Sequence, residues 1–159
     1  MNNHQTTNVN SLNADMYRLV EGYLSKKEFR AFLHVNKHVH GEYIEYRFVS
    51  LNRKYSLLYY KNEQFRNRIH SLMTDSKRQL GLHLSHYSDV TDVSALGGVH
   101  SLNLSCCPSV IDVSALGGLY SLDLSGCNTV TDVNALGGVH SLNLSCCCGI
   151  SDVSALGGV

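Results

Sequence analysis

The sequence predicts an α/β protein, in which an N-terminal α-helical module feeds a short solenoid carrying a parallel β-sheet on its concave face. Three observations predict this. From Leu82 onward the chain repeats every twenty residues: DVSALGG stands at 92–98, 112–118 and 152–158, with DVNALGG at 132–138. The strings LHLS, LNLS, LDLS and LNLS open at 82, 102, 122 and 142. A unit of this size cannot bury its own apolar face, so successive units must stack. Helical apolar spacing, by contrast, is confined to roughly the first 80 residues. Charge divides at the same place: all 13 Lys and Arg lie within residues 1–80, against seven acids, whereas 81–159 hold six Asp and no Lys or Arg. The neutral whole is therefore two oppositely charged parts.

Residues 1–11 are polar and read as a disordered tail. Leu12, Met16, Leu19, Val20, Tyr23 and Leu24 recur at spacings of three and four, an apolar stripe on one helix. Ser25-Lys26-Lys27-Glu28 is a capping box that opens a second helix with Phe29, Phe32, Leu33 and Val35. A third helical stretch is expected from about Asn36 through Tyr43, Ile44, Tyr46, Phe48 and Val49, and one or two short helices over 56–73. These spacings place a helical module at 12–50, a helical connector and N-terminal cap at 51–80, and about four repeat units at 81–159.

Leu12, Asp15, Val20, Tyr23 and Leu24, followed without a gap by Ser25, Lys27, Glu28, Phe29, Phe32, Val35, Asn36 and Lys37, resemble the F-box. Asn13 replaces the Pro of that motif and Val39 its Trp. The resemblance implies a substrate-recognition subunit of an SCF-type ubiquitin ligase. Its helices would dock a Skp-type adaptor protein through Leu12, Met16, Val20, Tyr23, Leu24 and Phe29, and the catalytic chemistry would belong to other subunits. F-box heads joined to near-identical repeats are similar to families expanded in amoebae and in the large DNA viruses that infect them. The implied location is intracellular and cytoplasmic, the host cytoplasm if the source is viral.

Between Tyr43 and Arg78 basic residues interleave with Tyr46, Tyr55, Tyr59, Tyr60 and Phe65. Such interleaving can track a phosphate backbone. Here Glu45, Glu63 and Asp75 dilute it and no nucleic-acid motif is present, so the aromatics are expected to form core against the first repeat.

Within a unit, Leu96, Val99, Leu102, Leu104, Cys107, Val110 and Val113 hold fixed offsets, and the next unit repeats them from Leu116 to Val133. This frame resembles the leucine-rich repeat, and the I/V-x-D-V-x-A-L return segment resembles its internalin type. Leu102 and Leu104 should point inward on a short strand, with Ser101, Asn103 and Ser105 outward. Asp92, Asp112, Asp132 and Asp152 should accept backbone N–H bonds as caps or Asx turns; the several oxygen ligands per ion that calcium needs are missing. The Gly97-Gly98 pair is expected to supply a corner at positive φ. Cys107, Cys127 and Cys147 should be buried fillers, with Tyr87 in their place in the first unit, and Cys106, Cys146 and Cys148 nearer solvent. Directly adjacent cysteines point opposite ways and do not form a zinc site.

Target contacts are expected on the concave strand face and its edges: His83, Ser101, Asn103, Ser105, Tyr120, Asp123, His140 and Asn143. His100, Tyr120 and His140 share one offset, and the two histidines lie too far apart for one metal ion. The strand face lacks the large aromatic or Arg anchors that dominate protein interfaces, so recognition is expected to be either weak or carried by the edges, at His86, Tyr87, His100, Tyr120 and His140. No nucleophile elbow, phosphate loop or paired-carboxylate site is present, so no catalytic residue, metal or cofactor is expected. No apolar run reaches the ~18–20 residues of a membrane span, and the N-terminus lacks a secretory apolar core. Val153, Leu156 and Val159 should leave an apolar end partly exposed, open to end-to-end stacking. The competing reading is a structural or scaffolding repeat protein whose helices only cap the stack.

Overall fold

A computed structural model describes residues 48–75 and 79–159. These residues form a mixed α/β structure with one five-stranded parallel sheet and two α-helices. Strand β1 (Phe48–Ser50) leads into helices α1 (Arg53–Lys61) and α2 (Glu63–Asp75); β2 (Gln79–His83), β3 (Ser101–Asn103), β4 (Ser121–Asp123) and β5 (Ser141–Asn143) follow in spatial order. The adaptor-contact residues Leu12, Met16, Val20, Tyr23, Leu24 and Phe29 lie outside the described residues.

The repeat period becomes the sheet register. Leu82 pairs with Leu102, Leu102 with Leu122 and Leu122 with Leu142, each shift being one period. Alternation turns Leu102 and Leu122 into the core and leaves the flanking Ser, Asn and Asp on the outer face. Between strands, 3-10 turns at Ser94–Leu96, Ser114–Leu116, Asn134–Gly138 and Ser154–Leu156 carry the return. Each complete unit sinks a full set of apolar residues, such as Leu102, Leu104, Cys107, Val110, Val113, Leu116 and Leu119, into one continuous core. Fully burying a side chain of this kind stabilises by about 1.5–3 kcal/mol. The last unit gains less: Leu142, Leu144, Ile150 and Leu156 are only partly buried, and Val153 and Val159 are exposed.

Helices α1 and α2 close the other side of the first unit. Asn52 opens α1 by accepting the Tyr55 N–H at 3.2 Å. Asn62 both ends α1, donating its N–H to Leu58 O, and starts α2, accepting the Phe65 N–H at 2.8 Å. The i, i+4 series Tyr55–Tyr59 and Phe65–Ile69–Met73 is buried against the sheet, as expected for the aromatics of this basic stretch. Buried Ser56 links helix to strand, its hydroxyl donating to Leu51 O and accepting the His83 N–H.

Two sequence expectations are corrected. Phe48 and Val49 do not continue a third helix; they form β1, in which Val49 pairs with Leu80. The edge of β2 offers ladder hydrogen bonds and a buried position for Val49, and these long-range gains override local helical spacing. Residues 48–50 therefore belong with the sheet rather than with the helical module placed at 12–50.

The glycine pairs do not turn at positive φ either: Gly97, Gly117 and Gly157 sit near −63°. Their role is close approach. A Cβ on Gly97, Gly117 or Gly137 would stand 2.3, 2.1 or 2.4 Å from the carbonyl oxygen of Ala115, Ala135 or Ala155 in the following unit. The left-handed corner lies elsewhere, just after each strand, at His86 (61°), Cys106 (55°), Gly126 (75°) and Cys146 (59°).

Candidate functional site

The outer strand row is held by its own side chains. Asn103 Oδ1 accepts the Ser105 N–H at 2.9 Å and the Ser105 hydroxyl at 2.7 Å. Asp123 Oδ1 and Asn143 Oδ1 accept the N–H groups of Ser125 and Ser145 at 2.9 and 3.0 Å. Asn103 Nδ2 also donates across to Asp123 Oδ2 at 3.4 Å. Each Asx oxygen thus folds the turn that follows its strand. The sequence assigns Asn103, Asp123 and Asn143 to target contacts; in the structure the Oδ1 atom of each also holds the turn that follows its strand. Ser101 and Ser105 flank them, and His83 stands apart with its Nε2 2.9 Å from Ser50 Oγ.

The return turns repeat the same device. Asp92, Asp112, Asp132 and Asp152 accept the N–H of the residue two positions on, at 2.8–2.9 Å. Hydrogen bonding to Ser94, Ser114 and Ser154 holds the carboxyls of Asp92, Asp112 and Asp152 below the ordinary Asp value.

The cysteines divide by depth. Cys107, Cys127 and Cys147 donate their thiols to Leu84, Leu104 and Leu124 carbonyls of the preceding unit at 3.0–3.1 Å. Burial pushes all three thiols up, Cys127 to about 11. Cys106, Cys146 and Cys148 are exposed. Tyr87, in the equivalent first-unit position, is half-buried beneath the Arg53 guanidinium, 4.5 Å from its ring centroid. No group of three or more His, Cys, Asp or Glu that could hold a metal ion occurs among the described residues.

The sheet edge offers different chemistry. His100, Tyr120 and His140 stack in one file, with ring centroids 4.7 and 4.5 Å apart and interplanar angles of 10° and 30°. Twenty-residue spacing puts the three rings on successive units, and ring stacking then fixes their planes. Because Tyr120 lies between them, the imidazoles cannot share an ion. Burial lowers the His100 pKa from the ordinary histidine value.

This file lines an open cavity of about 510 Å³ together with His70 and Met73 of α2. Gly98, Gly118 and Gly138 also line it. His70 rests against Gly98, where an added Cβ would meet its ring at 3.1 Å. None of the described lining residues carries a fixed charge. The cavity can therefore stack planar groups, accept apolar ones and exchange hydrogen bonds with imidazole and phenol.

Of the predicted site residues, Tyr120 and His140 come together here, whereas His83 and the strand row do not join them. The sequence reading places His100 with Tyr120 and His140 at the edge, and it misses His70 and Met73. The common offset of His100, Tyr120 and His140 is a readable signal; the face that α2 presents to them is not. No helix of the described residues is long and apolar enough to cross a membrane. Comparison of the chain with protein families, with curated proteins and with solved structures gave no match.

Proposed function

We propose that this chain is a non-catalytic target-recognition protein, a leucine-rich-repeat solenoid carried by an F-box-like head. On this reading the head at residues 12–39 recruits a Skp-type adaptor, and the repeats hold a protein target for an SCF-type ubiquitin ligase. The head assignment rests on the sequence resemblance alone. The observation that carries target recognition is the aromatic file His100–Tyr120–His140 beside a cavity whose described lining residues carry no fixed charge. Aromatic groups of this kind supply much contact area at small entropic cost. The strand row supplies shape and the edge supplies contacts, so the target lies along the edge groove rather than across the sheet.

Co-purification with a Skp-type adaptor tests the head. Binding should be retained by the wild-type chain and lost in Leu12→Asp/Leu24→Asp; absence of binding, or binding indifferent to that pair, refutes it. Tyr120→Ala/His140→Ala should release the target while the adaptor stays bound. The scaffolding alternative is favoured by one observation, the internal use of Asn103, Asp123 and Asn143. It predicts that neither pair of substitutions changes what the chain retains.

A further inference from the structure

Gly118 is a glycine that the fold does not require. Gly98 is held to glycine by His70, whose ring an added Cβ would meet at 3.1 Å, and Gly138 by the Gly117 carbonyl oxygen at 2.9 Å. At Gly118 the same Cβ would meet nothing within 4 Å, and the backbone there is not at positive φ. Such a glycine brings the fold only the entropic cost of its freedom in the unfolded chain. What the missing side chain leaves is space, because Gly118 lines the cavity of about 510 Å³ one unit after Gly98 and one unit before Gly138.

The ring file presents edges to this space. Tyr120 is stacked between His100, 4.7 Å away, and His140, 4.5 Å away, yet it remains 49% exposed. With both faces covered, the exposed parts are its ring edge and hydroxyl. A ring edge carries positive partial charge and attracts the negative face of another ring. Buried Met73 also lines the cavity, and thioether sulfur packs favourably against aromatic rings. No described lining residue carries a fixed charge, so an ionic group entering here would leave water without a fixed countercharge.

We infer that the cavity takes one uncharged aromatic side chain of an extended target segment, its ring face set against the Tyr120 and imidazole edges and its backbone passing over Gly118. The phenol and imidazole groups exchange hydrogen bonds with the peptide groups of the segment, and the missing Cβ at Gly118 admits that backbone at close range. The inference rests on the target-recognition reading above and names the group that its site accepts.

The chain contains no Trp, so indole fluorescence reports a bound peptide alone. The probe is acetyl-Gly-Ser-Trp-Ser-Gly-amide, titrated into the 159-residue chain at neutral pH under reducing conditions. Saturable binding is expected, with blue-shifted indole emission and shifts of the Gly98, Gly118 and Tyr120 amide NMR signals. The same peptide with Leu in place of Trp should bind less tightly, and those with Glu or Lys at least about tenfold less. Gly118→Leu, whose side chain enters the cavity, should weaken binding by about tenfold or more and leave the urea unfolding midpoint at or above the wild-type value. Tyr120→Ala removes the central edge and provides a second block. Ile111→Ala, at an exposed side chain outside the cavity, should bind as wild type does. The inference is overturned if the Leu or Glu peptide binds as tightly as the Trp peptide, if both blocking variants bind normally, or if the shifted amides lie elsewhere. Target release by Tyr120→Ala/His140→Ala together with a Trp peptide that does not bind overturns this inference alone. A Trp peptide that binds in the cavity of a chain whose target retention ignores that pair upholds it and overturns the recognition reading instead.

Discussion

Adjacent glycines in one turn should respond oppositely to the same added methyl group. At Gly117 the Cβ would lie 2.1 Å from Ala135 O and 3.1 Å from Ala135 C, whereas at Gly118 it would meet nothing within 4 Å. For Gly117→Ala the Ala135 carbonyl must retreat by about 1 Å or more to reach ordinary contact. That movement opposes the bonds joining the same two units, Leu104 N–H to Asp123 O and Cys106 N–H to Ser125 O, each 2.8 Å. Overpacking costs about 1–3 kcal/mol, and each weakened bond about 0.5–1.5 kcal/mol more, so a loss of roughly 2–4 kcal/mol is expected. At about 2–4 °C per kcal/mol for a chain of this size, Tm should fall by roughly 5–15 °C. Gly118→Ala meets no obstacle and restricts the unfolded chain, so it should stabilise by about 0.4–1 kcal/mol. Urea unfolding followed by circular dichroism measures both. Equal midpoints for the two variants, or a Gly117→Ala change within about 0.5 kcal/mol of wild type, would refute close approach as the reason for the glycine.

Other consequences are open to equally direct measurement. The Tyr59 hydroxyl is buried without a hydrogen-bond partner among the described residues, so Tyr59→Phe should raise stability by up to about 1 kcal/mol, read by urea titration. Burial raises Tyr59 from 10.0 to about 12 and Cys127 from 9.0 to about 11. For groups that are neutral when protonated, a raised folded value means stability that is complete below the unfolded value. It is lost as pH rises, from 9.0 to about 11 for Cys127 and from 10.0 to about 12 for Tyr59. Tm should fall steeply across that range, and less so in Tyr59→Phe. At the acid end the depressed carboxyls of Asp92, Asp112 and Asp152 give stability that is present above the ordinary Asp value and lost as pH falls through their lower folded values. Tm should therefore hold steady towards about pH 5 and drop below about pH 4. In the native chain a thiol reagent should label Cys106, Cys146 and Cys148 quickly, and Cys107 and Cys127 only on unfolding, as mass spectrometry can show. Tyr120→Ala should rehydrate His100 and raise its pKa towards the ordinary histidine value, read by NMR titration.

What the sequence disclosed followed from repetition. A fixed period dictates a fixed strand register, alternation sends Leu102 and Leu104 inward, and an Asp before each return segment folds it into an Asx turn; all three hold in the described residues. The aromatic core was also legible, because Tyr55, Tyr59, Phe65 and Ile69 keep helical spacing. Features produced by contacts between distant segments were not. Strand β1 spans three residues and exists through the edge of β2, so local spacing reads Phe48 and Val49 as helix. The glycines look like corners, yet their constraint comes from Ala115, Ala135 and Ala155 one unit on. The true left-handed corner carries glycine only at Gly126, so His86, Cys106 and Cys146 hide it.

The same distinction separates the strand face from its edge. A side chain repeated in every unit is one that every unit needs, and Asn103, Asp123 and Asn143 show that need directly by closing the turn behind each strand. Their polarity looks like a binding surface in the sequence, but their acceptor oxygens are engaged before any partner arrives. At the edge, position 100 and its equivalents have a different duty. Their backbone N–H groups join the units, His100 to Leu80 O and Tyr120 to His100 O, while their side chains stack on one another. That is where the chain varies between His and Tyr, and where the rings line a cavity together with His70 and Met73 of helix α2. Regular strands set the spacing, and the positions beside them carry the stacked rings.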